Sequence, residues 1–439
     1  MRLTSVALLD LPPGPVMAYA VSAGPDEAGL PVSFDQRIHV GKGQRAGSWM
    51  AVCFRWRGSL TPEALAQAWL AVVARHGTLR TAFSQDIRGE VVQHQIDVGA
   101  GAWVEHPASE GGSNDVVRRV LDESCAPYSR PSHAMLVTGM DTDRPAIIIG
   151  LDHAHADAWS LMVLAGDLAV CLDDVIAGRT PAATLPAVDS FAKHSALLES
   201  MPPAPAQVQQ RWSQIVAAGG GVMPTFPLPL GDISSPLAEV VEVRDVFDCA
   251  ELARFEQTLK SGGLRMFPAA LSVLTRVIRD MSGQPLRAVL PVHSRHEERW
   301  LTSVGWFITN AVIESRDPDP VACSAAIREA ISLGSHPLGP IMTAIIGPRG
   351  GMPTTPGMFA ISWLDNRRLP VALDPDLQAQ HVSAVIRTDG VMIWFVTNDS
   401  GMHVRCRYPD TPQARESVGS WLDAVCRGLQ TFDVEPSLA

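Results

Sequence analysis

Residues 152–160 read Asp-His-Ala-His-Ala-Asp-Ala-Trp-Ser and follow directly on the apolar run 146–151. Two imidazoles and two carboxylates thus gather where a buried strand ends and an apolar-striped helix begins, a placement that marks a candidate for chemistry. Two arrangements compete. In one, His153 and Asp157 form a pair spaced H-x-x-x-D, with Trp159 and Ser160 behind them. His153 then exchanges a proton, because an imidazole changes charge near neutral pH and little energy is spent reaching its active form. In the other, His153, His155 and Asp157 occupy alternate positions of an extended chain, share a face and converge as metal ligands. A plainer reading has the histidines only capping the strand end with satisfied hydrogen bonds.

The elements that must position this cluster follow from periodicity. After it, Leu161, Leu164, Leu168, Leu172 and Ile176 make one helical stripe that ends at Gly178. Before it, 49–56 reads as a strand. A helix then starts with Thr61 as N-cap, Pro62 in the first turn and Glu63 at the positive dipole end. Its apolar positions are Leu65, Trp69, Val72 and Val73, and Gly77 stops it. Strands over 79–83 and 91–96 and a helix over 116–124 lead to the strand 146–151.

From 181 to 235 the character changes. Short helices near 191–198 and 208–218 are separated by the proline-rich 201–205 and followed by Gly219-Gly220-Gly221 and the proline-rich 224–229, which predicts a connection between lobes. The second half predicts strands at 238–247, 287–292, 306–313, 361–364, 384–387, 391–395 and 404–408, with helices at 251–259, 268–281 and 414–429. Strands and helices mix without strict alternation. That predicts an α/β protein, layered in the α+β manner, with an N-terminal lobe over 1–180, a linker region over 181–235 and a C-terminal lobe over 236–439.

Composition excludes some classes. The 439 residues are 46% hydrophobic and 18% charged, enough for a large core. A formal net charge of −11 leaves no basic excess to displace phosphate counterions, so no nucleic-acid partner is expected. The seven cysteines (53, 125, 171, 249, 323, 406 and 426) are odd in number and form no C-x-x-C pair, which fits reduced thiols in a cytoplasm. Asp10, Pro12, Pro13 and Pro15 interrupt the N-terminal apolar residues, so no signal peptide is read. No run approaches the roughly 18 apolar residues of a membrane span.

Four segments, in order, carry a resemblance. Arg75-His76 with Leu79-Arg80-Thr81 and Phe83 is similar to a segment written R-H-x-x-L-R-T-x-F. The 152–160 cluster lies about 70 residues on. Leu290-Pro291-Val292-His293-Ser294-Arg295 is similar to the segment that supplies an internal arginine, and Val304-Gly305-Trp306-Phe307 resembles a V-G-W-F segment. Together they span most of the chain and resemble the condensation-domain and CoA-dependent acyltransferase superfamily. That group includes chloramphenicol acetyltransferase, non-ribosomal peptide condensation domains and polyketide-associated acyltransferases. Its motif is H-H-x-x-x-D-G. Here the second His falls on His153 and the Asp on Asp157, while Asp152 stands for the first His and Ala158 for the Gly. Asp at the first position resembles the free-standing polyketide-associated enzymes. If the backbone at Ala158 takes a positive φ, its Cβ costs on the order of 1 kcal/mol.

The resemblance implies two chloramphenicol-acetyltransferase-like lobes in a V with a tunnel between them. It also implies acyl transfer from a CoA or carrier-protein phosphopantetheine thioester to a small-molecule alcohol or amine, in secondary-metabolite or lipid biosynthesis. His153 would take the acceptor's proton, and Asp157 would pair with Arg295 to fix the loop presenting it. His155, Gly305 and Trp306 would neighbour the substrate channel, with Trp159 beside the motif. No tightly bound cofactor and no metal is required, since the thioester carries the activation. Two alternatives stand: a non-catalytic carrier-protein docking module, and a metal-dependent hydrolase using His153, His155 and Asp157. The latter spacing looks like the start of a metallo-β-lactamase-type motif, whose further His is replaced here by Ala158.

Overall fold

The structure, a computed structural model, describes residues 3–107, 110–347, 353–371 and 373–433. The chain forms two compact units. The first comprises Met1–Met201, Arg295–Phe307 and Leu369–Val385; the second comprises Pro202–Ser294, Ile308–Arg368 and Ile386–Ala439. A linear division at 181–235 therefore needs correction. That region splits between the units, and two later segments return to the first.

Among the described residues, the first unit holds an eight-stranded sheet in the order Leu3–Ser5, Gln380–Ser383, Trp49–Arg55, Ala146–Asp152, His133–Thr138, Val16–Leu30, Val91–His106, Thr81–Gln85. The strand Ala146–Asp152 (AIIIGLD) is buried along its whole length, as a near-continuous β-branched run covered on both faces should be. One face carries the helices Pro62–Arg75 and Ala158–Ile176, whose Trp69, Val72, Leu161, Leu164 and Leu168 pack with Ile147, Ile149 and Leu151. Thr61 caps the first of these helices through the Ala64 N–H at 3.2 Å, with Pro62 in the first turn. Gly150 is required within the strand: a Cβ there would lie 2.5 Å from Leu121 Cδ2 on the helix Gly112–Ser124.

Sequence periodicity alone leaves out several of these elements. The strands Val16–Leu30 and His133–Thr138 and the helix Phe34–Gly41 are additional. The strand expected at 384–387 is instead Gln380–Ser383, paired in parallel with Leu3–Ser5 and antiparallel with Trp49–Arg55. Residues 77–80 form a 3₁₀ turn before the strand Thr81–Gln85.

The second unit holds a seven-stranded sheet in the order Ile308–Ser315, Leu286–His293, Phe359–Asp365, Val391–Asn398, Gly401–Pro409, Leu237–Asp248, Arg387–Thr388. Against it pack the helices Cys249–Ser261, Met266–Ser282, Pro320–Gly334 and Pro412–Gln430. Phe226, Phe359 and Trp421 meet edge-to-face at centroid separations of 5.2–5.6 Å in its core. No described helix is long and apolar enough to cross a membrane.

Candidate active site

Three stretches of the first unit meet at residues 152–160: the end of the central strand with the helix after it, the helix Phe34–Gly41 with the loop behind it, and the segment Arg295–Phe307. The Asp152 N–H donates to the Ser132 carbonyl (3.1 Å) and the His153 N–H to the Ser48 carbonyl (3.0 Å), so neighbours on both sides still hold the chain as the strand ends. A 3₁₀ turn, His153–His155, follows, with Asp152 accepting from the Ala154 N–H at 2.9 Å. Asp157 then caps the helix Ala158–Ile176, accepting from the Ser160 N–H at 2.7 Å.

Asp157 and Arg295 form a buried clamp. Arg295 Nη2 donates to both carboxylate oxygens of Asp157 (3.1 and 3.3 Å) and to Ser160 Oγ (2.8 Å). Its Nη1 donates to the carbonyls of Trp300 (2.5 Å) and Ser303 (2.7 Å). The Phe307 N–H donates to Asp157 Oδ2 at 3.1 Å. The guanidinium carbon lies 3.9 Å from the Phe307 ring centroid and 5.2 Å from that of Trp159, whose indole N–H is fixed on the Leu301 carbonyl at 2.9 Å. With side-chain exposures of 0% and 1%, both charges are out of water. Burial pulls the Arg295 proton affinity down and Asp157 opposes it, and a guanidinium keeps its charge in either case.

Asp152 is the centre of a second network. Its carboxylate accepts from Ser48 Oγ (2.5 Å), the Ala154 N–H and His39 Nε2 (3.1 and 3.2 Å). Burial works to raise its proton affinity, but His39 and Ser48 outweigh burial and hold the carboxyl below the usual carboxylate range. Arg45 Nη2 lies 3.0 Å from His39 Nδ1, and Arg45 Nη1 donates to the His39 carbonyl at 3.0 Å. Gln36 Nε2 donates to the Ala154 carbonyl at 2.9 Å and ties the same helix to the turn.

His153 lies between the two networks. Trp306 stacks on it at 4.3 Å between centroids and 27° between planes, and His39 meets Trp306 edge-on at 5.2 Å. The buried Nδ1 of His153 has no partner on another residue. Burial first, then the nearby His39, lowers the proton affinity of the ring, so it is neutral at neutral pH. The segment 75–83 braces the middle of the site helix, with Arg75 Nε and His76 Nε2 contacting Asp167 Oδ2 at 2.7 and 2.8 Å.

Several expectations need correction. His155 and Gly305, expected beside the substrate channel, are both buried. His155 is 2% exposed, packed on Phe83 with Thr78 and Thr81 beside Nδ1, and burial pushes its pKa down to about 4. Gly305 exchanges hydrogen bonds with Ser160 Oγ (2.8 and 3.1 Å), and a Cβ on it would lie 2.4 Å from Phe191. Ala158 is the first residue of the helix and is not among the positive-φ positions, so its methyl carries no backbone penalty. The metal arrangement also fails on geometry. The 3₁₀ turn breaks the alternation, His155 turns to Thr78 and Thr81, and Asp157 turns to Arg295. Among the described residues no three His, Cys, Asp or Glu side chains are arranged to hold a metal ion.

Gln36, His39, Arg45 and Ser48 have no place in the sequence reading. The signal available was the capping box Ser33-x-x-Gln36, which the helix Phe34–Gly41 uses. Nothing local ties that helix to Asp152, 113 residues later.

Comparison with known proteins agrees with this architecture. Acyltransferase PapA3 of Mycobacterium tuberculosis is 23% identical over 421 residues, covering 90% of this chain and 87% of the relative. Trehalose-2-sulfate acyltransferase PapA2 of the same organism is 23% identical over 406 residues, covering 89% and 85%. Among solved structures, a PapA2 acyl transferase superposes with a TM-score of 0.82 at 21% identity, covering 98% of this chain and 99% of that one. The first condensation domain of the calcium-dependent antibiotic synthetase gives 0.69 at 14% identity, covering 92% and 96%. Residues 31–330, more than half of the chain, match the model of the condensation domain. On that match and this fold, the chain belongs to the condensation-domain family.

Proposed function

We propose that this protein is an acyltransferase that moves an acyl group from a thioester, on CoA or on a carrier protein's phosphopantetheine, to a hydroxyl or amine acceptor. The observation that carries this reading is the neutral His153 ring, stacked on Trp306 and presented by a turn braced at both ends by buried carboxylates. With Nδ1 buried, Nε2 is the nitrogen that takes the acceptor's proton as its oxygen or nitrogen attacks the thioester carbonyl. The tetrahedral intermediate then expels the thiolate, which recovers the proton as thiol. Both Asp157 oxygens are engaged by Arg295, Ser160 and Phe307, so Asp157 acts as a positioning residue and not as the orienting member of a triad. The family works on acyl thioesters, and the names of the PapA relatives state acyl transfer for those proteins. Seven unbridged cysteines, five of them buried, fit a reducing, cytoplasmic setting.

Thiol release from acyl-CoA and acyl-pantetheinyl carriers, with pooled alcohols and amines, tests the reading. Release should require an acceptor and should fall by roughly 10²–10⁴ in His153→Ala. Release indifferent to His153, or none with any donor, returns the docking-module alternative.

A further inference from the structure

The Asp157–Arg295 clamp accounts for one side of His153; the other side is built from residues that the transfer reaction does not itself call for. We propose that His39 and Asp152 form a positioning unit for His153, which fixes the turn carrying the ring and sets the field in which the ring takes a proton. The inference rests on the reading of His153 as the base. Three observations support it. Asp152 stands where the family's motif has its first His, and its carboxylate caps the very turn on which His153 sits. That carboxylate fastens the His39 ring, and the His39 helix is tied a second time to the turn by Gln36. His39 in turn meets the edge of Trp306, so that three rings, His153, Trp306 and His39, form a triangle, with the two imidazole centroids 6.0 Å apart.

The charged and titratable groups of the first unit around His153 are few. Asp152 and Asp157 flank it in the chain, His39 faces it from the helix Phe34–Gly41, and His155 follows in the turn with its ring directed to Thr78 and Thr81. Arg45 lies behind His39, and Arg295 lies behind Asp157. The Asp157 charge is matched by a permanent cation. On the other side, His39 and Asp152 act on His153 in opposite senses: the first weakens its hold on a proton, and the second strengthens it.

Opposite senses make the test sharp. The titration of the His153 ring is followed by NMR in the full chain, its resonance assigned by its loss in His153→Gln, alongside the pH profile of kcat/KM. His39→Gln keeps a donor toward Asp152 but carries no charge at any pH. It should move the His153 titration, and the acid limb of the profile, upward by about half a pH unit or more. Asp152→Asn should move both downward by a similar amount. A merely structural role would lower activity in both variants without displacing the titration. An unmoved titration, or displacement of both variants in one direction, overturns the proposal. Should Asp152→Asn fail to fold, His39→Gln alone decides. The NMR titration needs no substrate, so displaced titrations beside turnover that ignores His153 would overturn the base assignment while leaving the effect of the pair standing.

Discussion

Asp152 and Asp157 are the same residue type, both buried, both capping a helical turn, and both one short step from His153, yet their surroundings differ in kind. Asp157 is held by a guanidinium that never loses its charge and by two backbone N–H groups. Asp152 is held by a hydroxyl, one backbone N–H and an imidazole. The first is a fixed brace. The second rests on a hydroxyl and an imidazole, with the Arg45 guanidinium behind the imidazole. The ring proposed as the base thus has a carboxylate on either side, and the difference between the two comes from their partners, not from the carboxylates.

The comparison breaks most visibly at the brace. Arg295→Met leaves Asp157 buried without its cation and should cost about 3–5 kcal/mol of unfolding free energy, read by denaturant titration. Asp157→Asn, which keeps the shape and one acceptor, should cost less but still lower both stability and rate. A fully stable yet inactive Asp157→Asn protein would mean that this residue meets the reacting atoms and is no brace at all.

Acid sharpens the comparison. Burial pushes His133, His155 and His381 down to about 4, against an ordinary value near 6.5. The unfolded chain therefore binds more protons than the folded one between those values, so stability present above pH 6.5 is lost as pH falls toward 4. Each ring removes about 2 kcal/mol between pH 6.5 and 5. Replacing His155 with Gln should flatten the decline of stability by about that amount, and an unchanged slope would place the acid sensitivity elsewhere. Arg295 keeps its charge throughout this window.

The smallest effect belongs to the ring shared by both sides. Trp306→Leu removes the stack on His153 and should lower turnover by roughly tenfold or less, with stability changed little at this half-buried position. A loss as large as that of His153→Ala would show that Trp306 contacts the substrate directly.

Much of the site was legible in the residues. The run 146–151 followed by 152–160 is a strand, a turn and a helix, because β-branched continuity and an apolar stripe of helical period specify those states locally. The pairing of Asp157 with Arg295 came through resemblance, since 138 residues separate them and no local rule links them. Resemblance also set Trp306 near the site, though not its stack on His153, and the proximity of Asp152 to His39 had no such aid. Gln380–Ser383 shows the same limit: four residues with weak strand character become an interior strand because two edges, Leu3–Ser5 and Trp49–Arg55, are there to pair with it.

The sequence by itself determined the order of elements around the cluster, the H-x-x-x-D core and the class of chemistry an imidazole at a strand end can serve. These depend on spacing within a few residues, where backbone geometry alone decides which side chains share a face. Tertiary structure decided the rest: that residues 153–155 turn instead of extending, that Ala158 sits unstrained in a helix, that His155 is sealed away, and that His39 stands beside Trp306. Each depends on which distant segment fills the space around a side chain. Burial and hydrogen-bond satisfaction settle that only once the whole chain has packed.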